Sequence, residues 1–219
     1  MVLVCGQDSP DPLRFSINHS GDITSIDLFQ LWDLKNSFPK DPVVFVGSSS
    51  IRKWHTSEYF PSIPIINRGF GGSHISDVNY FINETVLKYK PRVIVFYAGD
   101  NDINFGKSPR IVFEDYKYFF RQINQELPET KIIFIPIKPS LKRWALWDKM
   151  KQANTLIKKY SNEEPLLYYV DTASPMLNNK GLPIGALFVS DSLHLSKLGY
   201  DLWSKILKPV LNNVLLSDS

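Results

Sequence analysis

Three consecutive hydroxyls, Ser48, Ser49 and Ser50, stand directly behind Gly47 at the end of an apolar run, VVFV. A glycine-rich segment, NRGFGG, spans Asn67 to Gly72, and GDND at Gly99 to Asp102 sets an amide, Asn101, between two carboxylates. Far along the chain, DSLH places the carboxylate of Asp191 three residues before the imidazole of His194. Each piece alone is ordinary, since serine is a common helix N-cap and most Gly-Ser turns are only turns. Together they are the parts of an acyl-transfer site. A serine hydroxyl is a poor nucleophile until a base takes its proton. An imidazole titrates near neutral pH, which makes His194 the best base in the set. On a turn, the Asp191 spacing can bring the carboxylate to the ring, where it would hold the tautomer and stabilise the imidazolium as it forms. Backbone N–H groups at the serine and at a glycine, with the Asn101 amide, could then bind the oxyanion. Each such donor is worth on the order of 10²–10³ in rate.

Parts so distant in sequence meet only if several elements end on one rim. The hydrophobic pattern predicts such elements. Val43–Val46 reads as a first buried strand, and Ile65–Ile66 starts a second that runs into NRGFGG. Arg92–Tyr97, Lys131–Ile135 and Leu166–Val170 read as the third, fourth and fifth. Helical patterns lie between them. One covers Asp22 to Asn36, starting near Thr24 or Ser25 and ending before Pro39, and a short piece holds Ile51 and Trp54. Others cover Ile75–Leu87, Pro109–Leu127, Trp144–Tyr160 and Lys197–Val214, the last interrupted or kinked at Pro209. Short, continuous apolar strands alternating with helices call for a parallel sheet covered on both faces, a three-layer α/β/α domain. In such a sheet the residues just past the strand ends share one rim, where open α/β folds bind ligands.

The 219 residues are 43% hydrophobic and 21% charged, which suits one globular domain with a substantial core. Residues 1–40 form a lead-in and a helix, and 41–219 the domain that carries the four blocks. The net charge is +3, from 25 basic and 22 acidic residues, and the basic residues are scattered. Lys142–Arg143 and Lys158–Lys159 read as solvated helix faces, so no nucleic-acid partner is expected. No apolar run approaches the roughly 18–20 residues of a transmembrane segment. MVLVCGQ lacks the basic start and long apolar core of a signal peptide, and cytoplasmic or exported locations, with a signal absent or trimmed, stay open. The single cysteine, Cys5, excludes an intramolecular disulfide and a cysteine-based zinc cluster. With no cysteine pair and no His-x-x-x-His, no metal is expected, and GSSSIR lacks the Gly-Lys-Ser/Thr ending of a phosphate loop.

With its four blocks in this order, the chain resembles the GDSL, or SGNH, hydrolase superfamily across Val43 to His194. The resemblance puts the family's catalytic serine at Ser49, with Ser48 standing where the family has aspartate and Ser48 and Ser50 as rivals. Its oxyanion glycine falls on Gly72, with Gly71 as competitor, and its oxyanion asparagine on Asn101. Its Asp-x-x-His block falls on Asp191 and His194, followed by the LGY that opens the last helix. The resemblance implies a flavodoxin-like, five-stranded parallel sheet and serine chemistry on a small-molecule ester, with no metal or organic cofactor. NRGFGG is similar to the acetylhydrolase-like branch rather than to lipase-like members, so substrate does not carry over from the superfamily as a whole; the glycine-rich, aromatic-flanked rim suggests no long acyl tunnel, and short acyl esters, acetyl esters of sugars or small lipids, are the first reading. A lysophospholipase or thioesterase with the same triad is the alternative. A non-catalytic binding module would need a broken triad, and here every element is present.

Other side chains have two readings each. His74, with Asp77, is a rival base or a pocket wall. His55, beside Trp54, reads as structural, and His19 as solvated. Asp102 reads as a hydrogen-bonding support for the site. Arg68, Tyr97 and Lys138 end or follow strands and could touch substrate or serve as rim structure. Trp144 and Trp147, three residues apart, could wall the site or pack as helix. The oligomeric state is left open.

Overall fold

The computed structural model describes residues 10–15 and 25–217; Cys5 and His19 lie outside the described residues. Five strands form one sheet: β1 (Val43–Gly47), β2 (Ile65–Gly69), β3 (Val93–Tyr97), β4 (Lys131–Phe134) and β5 (Leu167–Tyr169). Their order is β2-β1-β3-β4-β5 and every pairing is parallel. Parallel neighbours need crossovers, and helices accompany every one. They are α1 (Ser25–Asp33), α2 (Ser49–Arg52), α3 (Thr56–Tyr59), α4 (Ile75–Tyr80), α5 (Ile82–Thr85), α6 (Asp100–Phe105), α7 (Pro109–Glu126), α8 (Trp147–Ser161) and α9 (Lys197–Leu216).

Successive strand residues point to opposite faces, and both faces are covered, which is why the strands read as unbroken apolar runs. Val44, Val46, Ile94, Phe96, Ile132 and Phe134 pack in one core with α1, α4, α5, α7 and α8. Val43, Phe45, Val93, Val95 and Ile133 pack in the other with Ile51 of α2 and Trp203, Leu207 and Leu211 of α9. The chain is thus the three-layer α/β/α fold that the pattern predicts. Gly47 lies opposite both Gly69 and Tyr97, so three adjacent strands end level and open onto a common rim.

Several elements differ from the sequence expectation. β2 continues through Asn67 and Arg68 to Gly69. Its polar side chains stay in the strand because they find partners at the sheet edge. Asn67 Nδ2 donates to the carbonyls of Ile51, 2.8 Å, and Trp54, 3.1 Å, and Arg68 pairs with Asp33 of α1. The helix expected over Ile75–Leu87 divides into α4 and α5 at Phe81, whose ring turns inward against Phe15 and Phe70. GDND opens a helix of its own, α6. A 3₁₀ turn, Trp144–Leu146, precedes α8. No interruption occurs at Pro209, and α9 runs through it. Pro209 and Lys205, whose carbonyl loses its helical partner, both lie on the exposed face where water can serve it. Leu207 and Leu211, fully buried on the inner face, hold the helix in place.

Candidate active site

The turn after β1 decides which serine is presented. Gly47 has φ +135°, and a Cβ there would lie 1.8 Å from the Tyr97 carbonyl oxygen. Only glycine lets the chain leave β1 this close to β3. Ser48 N–H then donates to that same carbonyl, 2.9 Å. Ser48 and Ser50 are fully buried, and Ser50 Oγ accepts from Lys138 Nζ, 3.2 Å. Ser49 begins α2, is partly exposed, and its Oγ lies 3.0 Å from His194 Nε2, 145 residues away. Of the three hydroxyls, Ser49 alone meets an imidazole.

The DSLH loop is shaped by its own aspartate. Ser192 takes a left-handed backbone, φ +59°, uncommon for a residue with a side chain. Asp191 Oδ1 accepts the N–H groups of Leu193, 2.9 Å, and His194, 2.8 Å. Oδ2 is left facing the ring, 2.5 Å from Nδ1. The hydrogen bond from the His194 ring, then those from the His194 and Leu193 backbone, hold the Asp191 carboxyl well below the usual carboxylate range. An ionised carboxylate in this place keeps the ring proton on Nδ1 and turns the Nε2 lone pair toward Ser49. The loop is pinned on its far side by Val189 N–H, which donates to the His194 carbonyl, 2.9 Å, and by an antiparallel bridge between Phe188 and Leu195.

Candidate donors follow the ends of β2 and β3 on the rim that β1 shares. Gly72 has φ +81° with open space where a Cβ would stand, whereas a Cβ on Gly71 would press within 2.9 Å of the Arg52 guanidinium. Neither Ser49 N–H nor Gly72 N–H donates to an acceptor among the described residues. Asn101 Nδ2 donates to the Ser73 carbonyl, 3.0 Å, and its Oδ1 accepts from Arg143, 3.1 Å. An amide nitrogen carries two hydrogens, so one N–H remains for a substrate oxygen. A hydroxyl against an imidazole, with free donors on the same rim, is an arrangement able to attack a carbonyl and hold the resulting oxyanion.

The remaining expectations sort by burial. Arg68 does not line the site. It is 6% exposed, and its guanidinium is spent on Asp33, Tyr89 and its neighbour's carbonyl. Tyr97 is also structural: it is wholly buried, with its hydroxyl against Lys138 Nζ at 2.9 Å. Trp144 is half-buried and stacks on buried Trp147, with ring centroids 6.2 Å apart. Asp102 is buried, accepts the N–H of Ile75 at the start of α4 and pairs with Lys107. His74 is buried, and Asp77 accepts from its backbone N–H rather than from its ring. Burial, reinforced by Lys107 and Arg14, pushes the His74 pKa down to about 3, so the ring is neutral near pH 7. His55 is exposed and touches Glu58. Arg143, expected on a solvated helix face, instead reaches inward to Asn101 and Asp100. Its partners lie on α6, remote in sequence, and no spacing in the sequence announces the contact. Among the described residues no three His, Cys, Asp or Glu side chains cluster in a way that could hold a metal ion, and no helix is long and apolar enough to cross a membrane.

The model of the GDSL-like lipase/acylhydrolase family matches residues 49–202. The chain is 26% identical over 190 residues to the platelet-activating factor acetylhydrolase IB subunit alpha1 of Homo sapiens, covering 84% of this chain and 81% of that protein. It is 28% identical over 180 residues to the alpha2 subunit of Gallus gallus, covering 78% and 75%. A GDSL-like lipase structure from Bacteroides thetaiotaomicron superposes with a TM-score of 0.73 at 18% identity, covering 86% of this chain and 97% of the other. A family 3 carbohydrate esterase structure from Clostridium thermocellum does so with a TM-score of 0.64 at 16% identity, covering 80% and 99%. At these identities the two structures speak for the fold alone.

Proposed function

The chain belongs to the GDSL-like lipase/acylhydrolase family and is a carboxylic ester hydrolase, and from that premise we propose that it cleaves short-acyl esters through an acyl-enzyme on Ser49. The observation that carries this reading is the line Ser49 Oγ, His194 Nε2, His194 Nδ1, Asp191 Oδ2, with contacts of 3.0 Å and 2.5 Å. Ser49 Oγ attacks the ester carbonyl carbon as its proton passes to Nε2. The carbonyl oxygen becomes an oxyanion held by Ser49 N–H, Gly72 N–H and the free Asn101 N–H. The imidazolium then protonates the alkoxide leaving group, the carbon–oxygen bond breaks, and the acyl group stays on Ser49. Water attacks that acyl-enzyme with His194 again as base and restores the serine. Asp191 keeps the ring in the tautomer each step needs.

Acetyl esters of sugars or small lipids are the substrate class. The support is that relatives at 26% and 28% identity carry the name acetylhydrolase, and that Trp144, the aromatic candidate for a wall, is stacked on Trp147 rather than extended along a groove. The test joins fluorophosphonate labelling to p-nitrophenyl acetate turnover in wild type, Ser48→Ala, Ser49→Ala, Ser50→Ala and His194→Ala. Ser49→Ala and His194→Ala are expected to lose turnover, and Ser49→Ala to lose the label, while Ser48→Ala keeps both. Unchanged turnover and labelling in Ser49→Ala would sink the nucleophile assignment. A series of p-nitrophenyl esters from acetate to decanoate reads the acyl length. A falling kcat/KM supports the short-acyl reading, and a flat or rising one overturns it in favour of a lysophospholipase or thioesterase.

A further inference from the structure

Beneath Asn101 lies a buried charge cluster that the acyl-enzyme scheme does not use. Lys138, 1% exposed, donates to Ser50 Oγ at 3.2 Å, Tyr97 OH at 2.9 Å and Asp100 Oδ2 at 3.1 Å. The same Asp100 oxygen lies 3.2 Å from Arg143 Nη1, an ion-pair contact without hydrogen-bond geometry, and the other arm of that fork, Nη2, donates to Asn101 Oδ1 at 3.1 Å. Burial works against the Asp100 carboxylate, but Lys138 and Arg143 outweigh it and hold its pKa below the usual range. The segment bearing Arg143 is fastened at its neighbour, where Lys142 N–H donates to the Ser192 carbonyl inside the DSLH loop, 3.0 Å. Arg143 therefore sits between the loop that carries the base and the helix that carries the amide.

An asparagine amide is nearly symmetric in shape and opposite in chemistry at its two ends. Turned one way, Asn101 offers a donor to an oxyanion. Turned the other, it offers a carbonyl oxygen, which repels one. Two contacts choose between these states: the Ser73 carbonyl can face only the NH₂ end, and the Arg143 guanidinium only the oxygen end. We infer that Arg143 is the positioning residue of the oxyanion hole, fixing the Asn101 amide through a fork anchored on Asp100. The inference rests on the reading of Asn101 as an oxyanion donor. One planar group can face a carboxylate with one arm while the other arm donates to the amide oxygen, which a single ammonium cannot do in a fixed plane.

The experiment measures kcat and KM for p-nitrophenyl acetate, with thermal unfolding alongside, in wild type, Asn101→Ala, Arg143→Met, Arg143→Lys and the Asn101→Ala/Arg143→Met double variant. Asn101→Ala is expected to lower kcat about 10²- to 10³-fold. Arg143→Met is expected to lower it about 10- to 100-fold with KM unchanged, since the oxyanion exists only past the ground state. In the Asn101→Ala background Arg143→Met should cost nothing further, because a residue acting through the amide has nothing left to orient. Arg143→Lys keeps a cation beside Asp100, so it should unfold near the wild-type temperature and still lose about tenfold in kcat. Equal losses from Arg143→Met in the presence and absence of Asn101 would overturn the inference, as would wild-type kcat in Arg143→Lys. Wild-type kcat in Asn101→Ala would strike at the oxyanion reading itself, a separate result from either.

Discussion

Exchanging Asp191 for asparagine alters one atom of the relay, and the surrounding hydrogen bonds dictate the consequence. Oδ1 accepts two backbone N–H groups, from Leu193 at 2.9 Å and His194 at 2.8 Å. An asparagine must leave its carbonyl oxygen there, because an NH₂ in that place would face two donors with no acceptor. Its nitrogen then replaces Oδ2, 2.5 Å from Nδ1. A donor against Nδ1 drives the ring proton to Nε2, where it points at Ser49 Oγ, 3.0 Å away. That nitrogen can no longer accept the serine proton. Misplacing this proton costs about 10⁴ in kcat where the same geometry has been tested, or ~5 kcal/mol of barrier. The Asp191 side chain is 39% exposed, so the fold should hardly register the change. Steady-state hydrolysis of p-nitrophenyl acetate and the rate constant for fluorophosphonate labelling, both at pH 7, should fall by similar factors, because each requires the same transfer from Ser49. Asp191→Asn retaining more than about a tenth of the wild-type kcat, with an unchanged unfolding temperature, would refute the tautomer argument.

Two further outcomes concern groups away from the serine. His74 titrates near 6.5 when unfolded and near 3 when folded, so below pH 6.5 the unfolded chain binds a proton the native state refuses. This contribution to stability is complete above pH 6.5 and shrinks as pH falls, by about 2 kcal/mol at pH 5; the difference between the urea-unfolding free energies of wild type and His74→Asn should show that slope against pH, and parallel curves would refute the assignment. Arg68→Met leaves half-buried Asp33 with Lys88 and the Tyr89 hydroxyl as partners and should cost about 2 kcal/mol of stability through the lost charge-assisted hydrogen bond, while kcat of the folded enzyme stays within about twofold of wild type, a result that substrate contact by Arg68 would not allow.

The sheet was legible because both of its faces are buried. A strand sandwiched between helix layers must be apolar at every position, and the runs at Val43, Val93 and Lys131 announce themselves. The site blocks were legible for a related reason, because each is a local motif that shapes its own turn. Gly47 is forced by the Tyr97 carbonyl, and Asp191 wraps its own loop through two backbone N–H groups. What stayed hidden is what depends on another loop. Arg68 at a strand end looks like a rim residue, and only the fold brings α1 close enough for Asp33 to claim it. The basic pair Lys142–Arg143 looks solvated, and only the fold turns one of the two inward. The division of the Ile75–Leu87 helix escaped for the same reason, since Phe81 fits a helical pattern and its inward packing is tertiary.

The placement of the hidden charges has its own logic. Lys138, Asp100 and Arg143 are side chains at most 12% exposed, and removing such groups from water costs several kcal/mol each before their mutual attraction is counted. Apolar residues of similar volume would serve stability as well or better. A fold that nonetheless keeps two cations and one anion in a single cluster has put them where a packed methyl group could not substitute. That place is the junction of three segments: the start of α2 with Ser50 behind the serine, the start of α6 with the Asn101 amide, and Lys142 bonded to the loop of the base. Apolar packing would hold the segments together but leave the Ser73 carbonyl as the amide's one orienting contact among those described, because a methyl group does not distinguish its oxygen from its nitrogen. A guanidinium fork does distinguish them. The cluster is therefore better understood as setting the direction of one hydrogen-bond donor than as adding to the stability of the sheet beneath it.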